Sequence, residues 1–418
     1  MSLCRFQLAV AVTVALALTP TGSVQAKPPG AADAQGRRAS PSARPGSSQA
    51  QSRPQGRAGP TAGPADPEEE LKMFGRYPRP GRTWTTVGGE VYGARPDERG
   101  PLGGGAGYKG VVTGGDFRVR TLEALLAALK RAKAGQVVFV DGKAEIDCTT
   151  RVYIEQLVIE VPAGVTLASD RGHGGSFGAM LLSDAFATRP LIRAAGRQVR
   201  LTGMRIRGPD PKRRAAHHRR SFSEGRGHKY YYRFPISNGI ATGHDGLEVD
   251  NCELAGFSHA AIYLRAGKDH RIHHNYIHHN QYKGLGYGVC HGKAFSQITH
   301  NLFNWNRHSI AGTGRPPSGY EAAHNVELGH SLSHCFDMHG GGDRKDGTNM
   351  AGTTIRVHHN TFRAPNTSVK IRGVPQDTCE VFRNWFVMHK GPKDAVVAQE
   401  KTVVRDNVYG AEPAHVIP

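Results

Sequence analysis

Between residues 247 and 410, seven short segments repeat one order of apolar and polar positions: LEVDNCEL, RIHHNYIH, QITHNLFN, EAAHNVEL, RVHHNTFR, EVFRNWFV and VVRDNVYG. An alternating stretch (Ile298, His300; Val357, His359) leads to an Asn, and an apolar pair such as Leu302 and Phe303 follows it. The asparagines are Asn251, Asn275, Asn301, Asn325, Asn360, Asn384 and Asn407, at steps of 24, 26, 24, 35, 24 and 23 residues. The pattern predicts strand, bend, strand, and a spacing in this range marks a solenoid. Asn tolerates left-handed backbone, and its amide both donates and accepts, so seven asparagines at one bend are expected to stack in one vertical file. A single coil cannot bury its inner face; stacking supplies both the core and the strand partners.

Over residues 108–410 this pattern resembles the right-handed parallel β-helix of the pectate-lyase-like superfamily. The resemblance implies an all-β, right-handed, single-stranded parallel β-helix with an N-terminal capping helix and loop insertions. That superfamily hosts lyases, hydrolases, epimerases and non-enzymatic adhesins, so the function must be argued from a site.

Each interval between asparagines holds a further strand: AAIYLRAG, YGVCHGK, RHSIAGTG, HCFDMHGG, SVKIRGV and AVVAQ. Side chains alternate along a strand. With Ile262, Leu264, Phe336, Met338, Val369 and Ile371 inward, Tyr263, Arg265, Asp337, His339, Lys370 and Arg372 face outward on coils about 4.8 Å apart.

Ahead of the repeats, Leu122, Leu125, Leu126 and Leu129 share one face, with Thr121 before them and Gly135 after residue 134, predicting an amphipathic helix over 121–134. It covers the first coil, as a solenoid requires. Strands are predicted at 136–140, 153–161 and 165–169. One more coil spans 198–208, with Gly203 where later coils carry Asn.

Residues 1–26 read as a secretory leader: Arg5, an apolar run from Leu8 to Leu18 too short to span a bilayer, and a small-residue cleavage site at Val24-Gln25-Ala26. Residues 27–67 are rich in Pro, Gly, Ala, Ser, Gln and Arg and lack aromatics, predicting a disordered tether. Residues 68–110 form an irregular segment packed on the domain, and 111–418 the β-helix domain. No other stretch has the length and apolarity of a membrane helix; the leader predicts a secreted or periplasmic protein, and a monomer is expected. Of six cysteines, Cys4 leaves with the leader. The remaining five cannot all pair, and without a C-x-x-C they read as small buried residues.

A formal charge of +19, most of it beyond residue 67, calls for an acidic partner. For an exported protein that is an acidic polysaccharide rather than nucleic acid. The run GGGAGYKG at 103–110 lacks the Lys-Ser or Lys-Thr of a phosphate loop. Two insertions interrupt the repeats. One, at 209–236, is read as a loop that carries eight Lys/Arg and Tyr230, Tyr231 and Tyr232; the other spans 340–354. They are expected to wall a cleft.

His274, His300, His324 and His359 each precede an Asn, which predicts a stacked exterior column at the bend; His273 and His358 are set aside likewise. The candidate catalytic set is the outward cluster Asp337, His339, Lys370 and Arg372. Candidates for substrate binding are Arg265, Tyr263, Arg307, His308, Tyr320, Arg344 and Tyr231, with Asp343 nearby. Elimination from a uronate polymer needs the carboxylate neutralised, a base beside the acidic carbon and a proton donor for the leaving oxygen. Arg372 suits the first task, because its planar fork grips a carboxylate in two places. His339 or Lys370 suits the second, with Asp337 orienting His339 or holding a metal.

The stretch HHNTFRAPNTSVKIRG at 358–373, followed by EVFRNWF, is similar to the pectate lyase run HHN, R-x-P-x-x-R, N-N-x-F. By position Arg372 matches that motif's second Arg and Gly373 its Gly, which implies a carboxylate-binding Arg372. Thr367 stands at the first Arg, Val369 at the Pro, and the W-I-D-H element is missing. A hydrolase would need two carboxylates across the scissile bond. The outward column offers only Asp337, so Asp343, Asp346 or Glu321 would have to supply the second. A divalent cation is the one cofactor considered. Clustered carboxylates for calcium are missing, whereas His308, Asp337 and His339 suit a transition metal. The reading is an exported enzyme cleaving an acidic polysaccharide by β-elimination. Hydrolysis, uronate epimerisation and non-catalytic binding stand as alternatives.

Overall fold

The computed structural model describes residues 78–209 and 211–417. The predicted leader at 1–26 and tether at 27–67 lie outside the described residues. Three parallel sheets wind around one axis. Sheet 1 runs from Ile159–Val161 to Val396–Val397. Sheet 2 runs from Phe117–Val119 to Thr402–Arg405. Sheet 3 runs from Glu145–Asp147 to Val408–Tyr409. Each coil contributes a strand to sheets 1, 2 and 3 in turn, which makes the chain an all-β parallel β-helix. In two coils, Ala260–His273 and Tyr287–Thr299, one strand bends from sheet 1 into sheet 2.

The interior is the apolar column that alternation predicts. Ile262, Leu264, Phe336, Met338, Val369 and Ile371 are all buried in one continuous core. The helix Leu122–Arg131 closes the first coil; Thr121 caps it by accepting the Ala124 N–H, and Leu122, Leu125, Ala128 and Leu129 enter the core. The segment expected as a strand over 153–161 is divided. Thr149–Glu155 is helical, Gln156 takes a left-handed φ of 55°, and only Ile159–Val161 is strand. All five described cysteines are buried and unpaired.

The Asn file holds six rungs rather than seven. Asn275, Asn301, Asn325, Asn360 and Asn384 each donate Nδ2–H to the Oδ1 of the next Asn at 3.0 Å, ending on Asn407. The same five amides donate to a carbonyl of the preceding coil. Asn251 stands one residue out of register. Asp250 pairs with His273, which sets Asn251 level with His274, and it is the Cys252 N–H that reaches Asn275 Oδ1 at 2.9 Å. Asn251 instead accepts the Gly105 N–H and donates to the Arg171 carbonyl.

The left-handed bend is likewise not at the ladder Asn. It falls on the residue before it: His274, His300, His324, His359, Arg383 and Asp406 have φ of 52–57°. Gly203 and Asn251 occupy that bend position in the two preceding coils, with φ of 68° and 52°. A second, shorter ladder joins Asn280 to Asn306 between sheets 3 and 1.

The bend histidines do stack, with ring centroids 4.9–5.0 Å apart along His274, His300, His324 and His359. The column lies outside the core and is partly covered by the segment 82–108, which is strapped over it: His274 is buried, while His300, His324 and His359 stay part-exposed. The strap begins as an antiparallel hairpin, Trp84–Val87 with Glu90–Gly93. Tyr92 packs on Trp385 and Val408, and Leu102 on Tyr276, Leu302 and Val326. Asp97 meets His274 Nε2 at 3.0 Å, and Tyr108 donates to Asp250.

Asn325→Ala removes the acceptor of the Asn301 N–H and Nδ2–H and the donor to Asn360 and Ile298; a buried orphan costs about 1–3 kcal/mol. Urea denaturation should show a loss of about 3 kcal/mol or more, and a loss below about 1 kcal/mol would refute the ladder's role. Burial first, then the neighbouring imidazoles, push His300, His324 and His359 down to about 4, and burial does the same to His274. An unfolded imidazole titrates near 6.5, so between about pH 6.5 and 4 the unfolded chain binds more protons. The stability this confers is complete above about 6.5 and is lost as pH falls toward 4. The thermal midpoint should therefore drop across that window, and a flat midpoint would count against it.

Candidate functional site on the outer face of sheet 1

Strand register assembles the outward cluster. Asp337 lies opposite Lys370 on the next coil, and continuation of the same register sets His339 level with Arg372. Asp337 is fully buried, and a buried carboxylate must be paired and hydrogen-bonded. Arg372 grips it with two bonds, Nε to Oδ1 at 2.9 Å and Nη2 to Oδ2 at 2.7 Å. His334 Nε2 adds a third contact, 2.8 Å from Oδ1. His339 Nε2 lies 3.0 Å from Oδ2 without hydrogen-bond alignment. Burial acts to raise the Asp337 pKa, but the imidazoles and the guanidinium outweigh it and hold the carboxyl well below its ordinary value. Asp337 is thus a fixed anion at neutral pH.

Around it, Tyr287, His308 and His334 stack on successive coils, with centroids 5.7 and 4.0 Å apart. His308 Nδ1 faces the His334 carbonyl at 2.6 Å. Burial depresses the pKa of both histidines, that of His308 strongly. His339 keeps a quarter of its side chain exposed. No hydrogen bond or ion pair holds the Lys370 ammonium among the described residues.

The insertions border opposite edges of sheet 1. Residues 209–236 join sheet 3 to sheet 1, and 340–354 join sheet 1 to sheet 2. The first is not the loop the sequence suggested; it contains the helices Pro211–Ser223 and Gly227–Tyr231. Arg214, His217 and Ser221, spaced by three and four residues, are the buried face of the longer helix. Lys212, Arg213, Arg219, Arg220, Arg226, Lys229 and Arg233 are exposed. Between these helices and Tyr282, Lys283 and Leu332 is a cavity of about 290 Å³.

Several residues proposed to touch substrate are placed elsewhere. Tyr320 lies on sheet 2 with its ring in the core, fully buried, because its strand alternates toward the axis. Arg344 has spent all five donor hydrogens on Asp346, the Thr313, His339 and Met350 carbonyls and Thr348. It holds the second insertion together instead. Tyr231 is buried, stacked on Tyr282 at 4.8 Å, and anchors the helical insertion. Arg372, expected to clamp a substrate carboxylate, has its fork on Asp337 and its remaining arm on Asp343 at 2.8 Å.

Tyr263 and Arg265 share the outer face three coils below Asp337, with the Arg265 guanidinium 5.8 Å from the Tyr263 ring centre. Arg307 flanks His308, its Nη1 buried without a hydrogen-bond partner among the described residues.

His334 and Tyr287 were missed. Alternation back from Phe336 would turn His334 inward, but regular strand covers only Phe336–Met338. The preceding turn resets the side-chain direction, so Cys335 and Phe336 both face the core while His334 and Asp337 meet outside. The aromatic or imidazole two residues before Val289, Ile310 and Phe336, at Tyr287, His308 and His334, was the available signal.

No protein-family model matches this chain, and no curated protein does. Among solved structures it is similar to the Yersinia enterocolitica family 28 exopolygalacturonase, at 12% identity, over 69% of this chain and 62% of that one, with a TM-score of 0.36. The match thus spans less than two thirds of that chain's length. The coil architecture stands on the strand pairing itself.

Removing one partner of a buried ion pair costs about 3–5 kcal/mol. Arg372→Met, which keeps the bulk and leaves Asp337 half unpaired, should destabilise the chain by about 3 kcal/mol in guanidinium denaturation. A change below about 1 kcal/mol would show that the pairing does not hold the face together.

Proposed function

We propose that the chain is an exported carbohydrate-active enzyme that cleaves an acidic, uronate-containing polysaccharide by β-elimination. The observation that supports this reading is the group Asp337, His339, Lys370 and Arg372 on an open face, bordered by insertions of which one presents seven exposed cations. Such cations attract a polyanion and raise its local concentration.

In this reading His339 is the base. The negative charge of Asp337, 3.0 Å from Nε2 though off the hydrogen-bond axis, favours the tautomer with hydrogen on Nε2 and a lone pair on Nδ1. Nδ1 takes the proton next to the uronate carboxylate. Lys370, one coil above and uncommitted, neutralises that carboxylate as negative charge develops, the task the engaged fork of Arg372 leaves open. The electron pair then forms the double bond and expels the glycosidic oxygen, which takes a proton from His339 or from water.

Hydrolysis is less well served. Its two carboxylates must both reach the scissile bond, whereas Asp337 is buried and Arg372 bridges it to Asp343.

Incubation of the purified chain with a panel of uronate polymers should yield new chain ends that absorb in the ultraviolet. His339→Ala and Lys370→Ala should each lower that rate by about 10²–10⁴-fold while the fold is retained. Reducing ends without absorbance would replace elimination by hydrolysis, altered sugar composition without shortening would replace it by epimerisation, and saturable binding without turnover would leave a binding protein.

A further inference from the structure

We propose that His308, His334 and Asp337 form a binding site for one first-row transition-metal dication, of the class of zinc, cobalt or nickel. The three offer one ligand atom each, and these atoms lie within 4.8 Å of one another.

His308 carries the argument. Its side chain is fully buried, and its Nδ1 faces a carbonyl, which can only accept, so Nδ1 holds the ring hydrogen. Nε2 is left with a lone pair and has no hydrogen-bond partner among the described residues. Buried polar atoms are nearly always satisfied, so an orphan here asks for an occupant. A ring fixed through Nδ1–H to a backbone carbonyl, with Nε2 turned to a shared point, is how metal-ligating histidines are held.

His334 is stacked on His308 at 4.0 Å. Its Nε2–H donates to Asp337 Oδ1 at 2.8 Å, and its Nδ1 lies 3.3 Å from Ser333 Oγ, which can accept the ring hydrogen once an ion takes the Nε2 lone pair.

The donor set selects the ion. Two imidazoles and one carboxylate suit zinc, cobalt or nickel, whereas calcium takes six to eight oxygens. A tetrahedral ion at about 2.0–2.1 Å from its ligands sets them about 3.4 Å apart, so side chains whose ligand atoms lie within 4.8 Å need only small adjustments to meet it. Arg372 on the same carboxylate opposes a second cation, which points to modest affinity and to coordination on the His334 side of Asp337. Three protein ligands leave a fourth position open. That a bound ion would take the uronate carboxylate rests on the function proposed above; binding of the ion does not.

Chelator-treated full-length chain, titrated calorimetrically with zinc or cobalt chloride, should take up one equivalent. His308→Ala and His334→Ala should each weaken uptake about tenfold or more, whereas His300→Ala, which disrupts the separate Asp97, His274 and His300 group, should not. A zinc-soaked crystal of the unmodified chain should give an anomalous peak among the three side chains, which decides the matter even where a variant fails to fold. No uptake, uptake unchanged in a folded His308→Ala, or a peak elsewhere only would overturn the site. Uptake at the site in a chain that eliminates no uronate polymer would keep the metal site and overturn the function.

Discussion

Everything on the outer face of this protein depends on coils keeping a fixed vertical register, and buried amides at the bends between sheets 2 and 3 enforce it. Strand pairing alone specifies register weakly, because a slip of two residues returns the same faces. The file from Asn275 to Asn407 removes that freedom. Each amide from Asn275 to Asn384 is saturated by the carbonyl of the coil before and the Asn of the coil after, so a slipped coil would bury unpaired polar groups. Because this lock holds, residues 33 apart in sequence, Asp337 and Lys370, sit side by side.

Within that frame the charge state of each buried acid follows from its neighbours. Asp337 and Glu327 are both fully buried. Asp337 stays ionised because a guanidinium and imidazoles surround it. Glu327 pairs in register with Phe303 and Phe362 inside the coil, and burial pushes its carboxyl up to about 8. One carboxyl is an anion that orients its surroundings, the other a neutral group at ordinary pH. The difference is what can donate to each, not how deep it lies.

The insertions and the strap serve different faces. The N-terminal strap lies over the bend histidines and Asn251, burying His274 and Asn251 and leaving His300, His324 and His359 part-exposed. The basic insertion folds into helices because a buried face of Arg214, His217 and Ser221 packs it down, leaving most of its cations outward. Tyr231 and Tyr282 bind it to the turns that lead into sheet 1, and Arg219 lines one cavity with Leu332, in the turn that leads to the Asp337 coil.

The sequence by itself determined the solenoid, its inward column and most of its ladder, because these follow from a local order of residues repeated on every coil. It also determined that Asp337, His339, Lys370 and Arg372 share one face, since alternation holds within a regular strand. Only the tertiary structure decided which residue stands in the Asn file, because Asn251 and Cys252 differ by one position that only strand pairing can assign. It likewise decided that Tyr320, Arg344 and Tyr231 are structural, that Arg372 is committed to Asp337, and that His334 joins the site across an irregular turn. Those outcomes depend on contacts between distant segments, and residue type carries no record of which partner a side chain will meet.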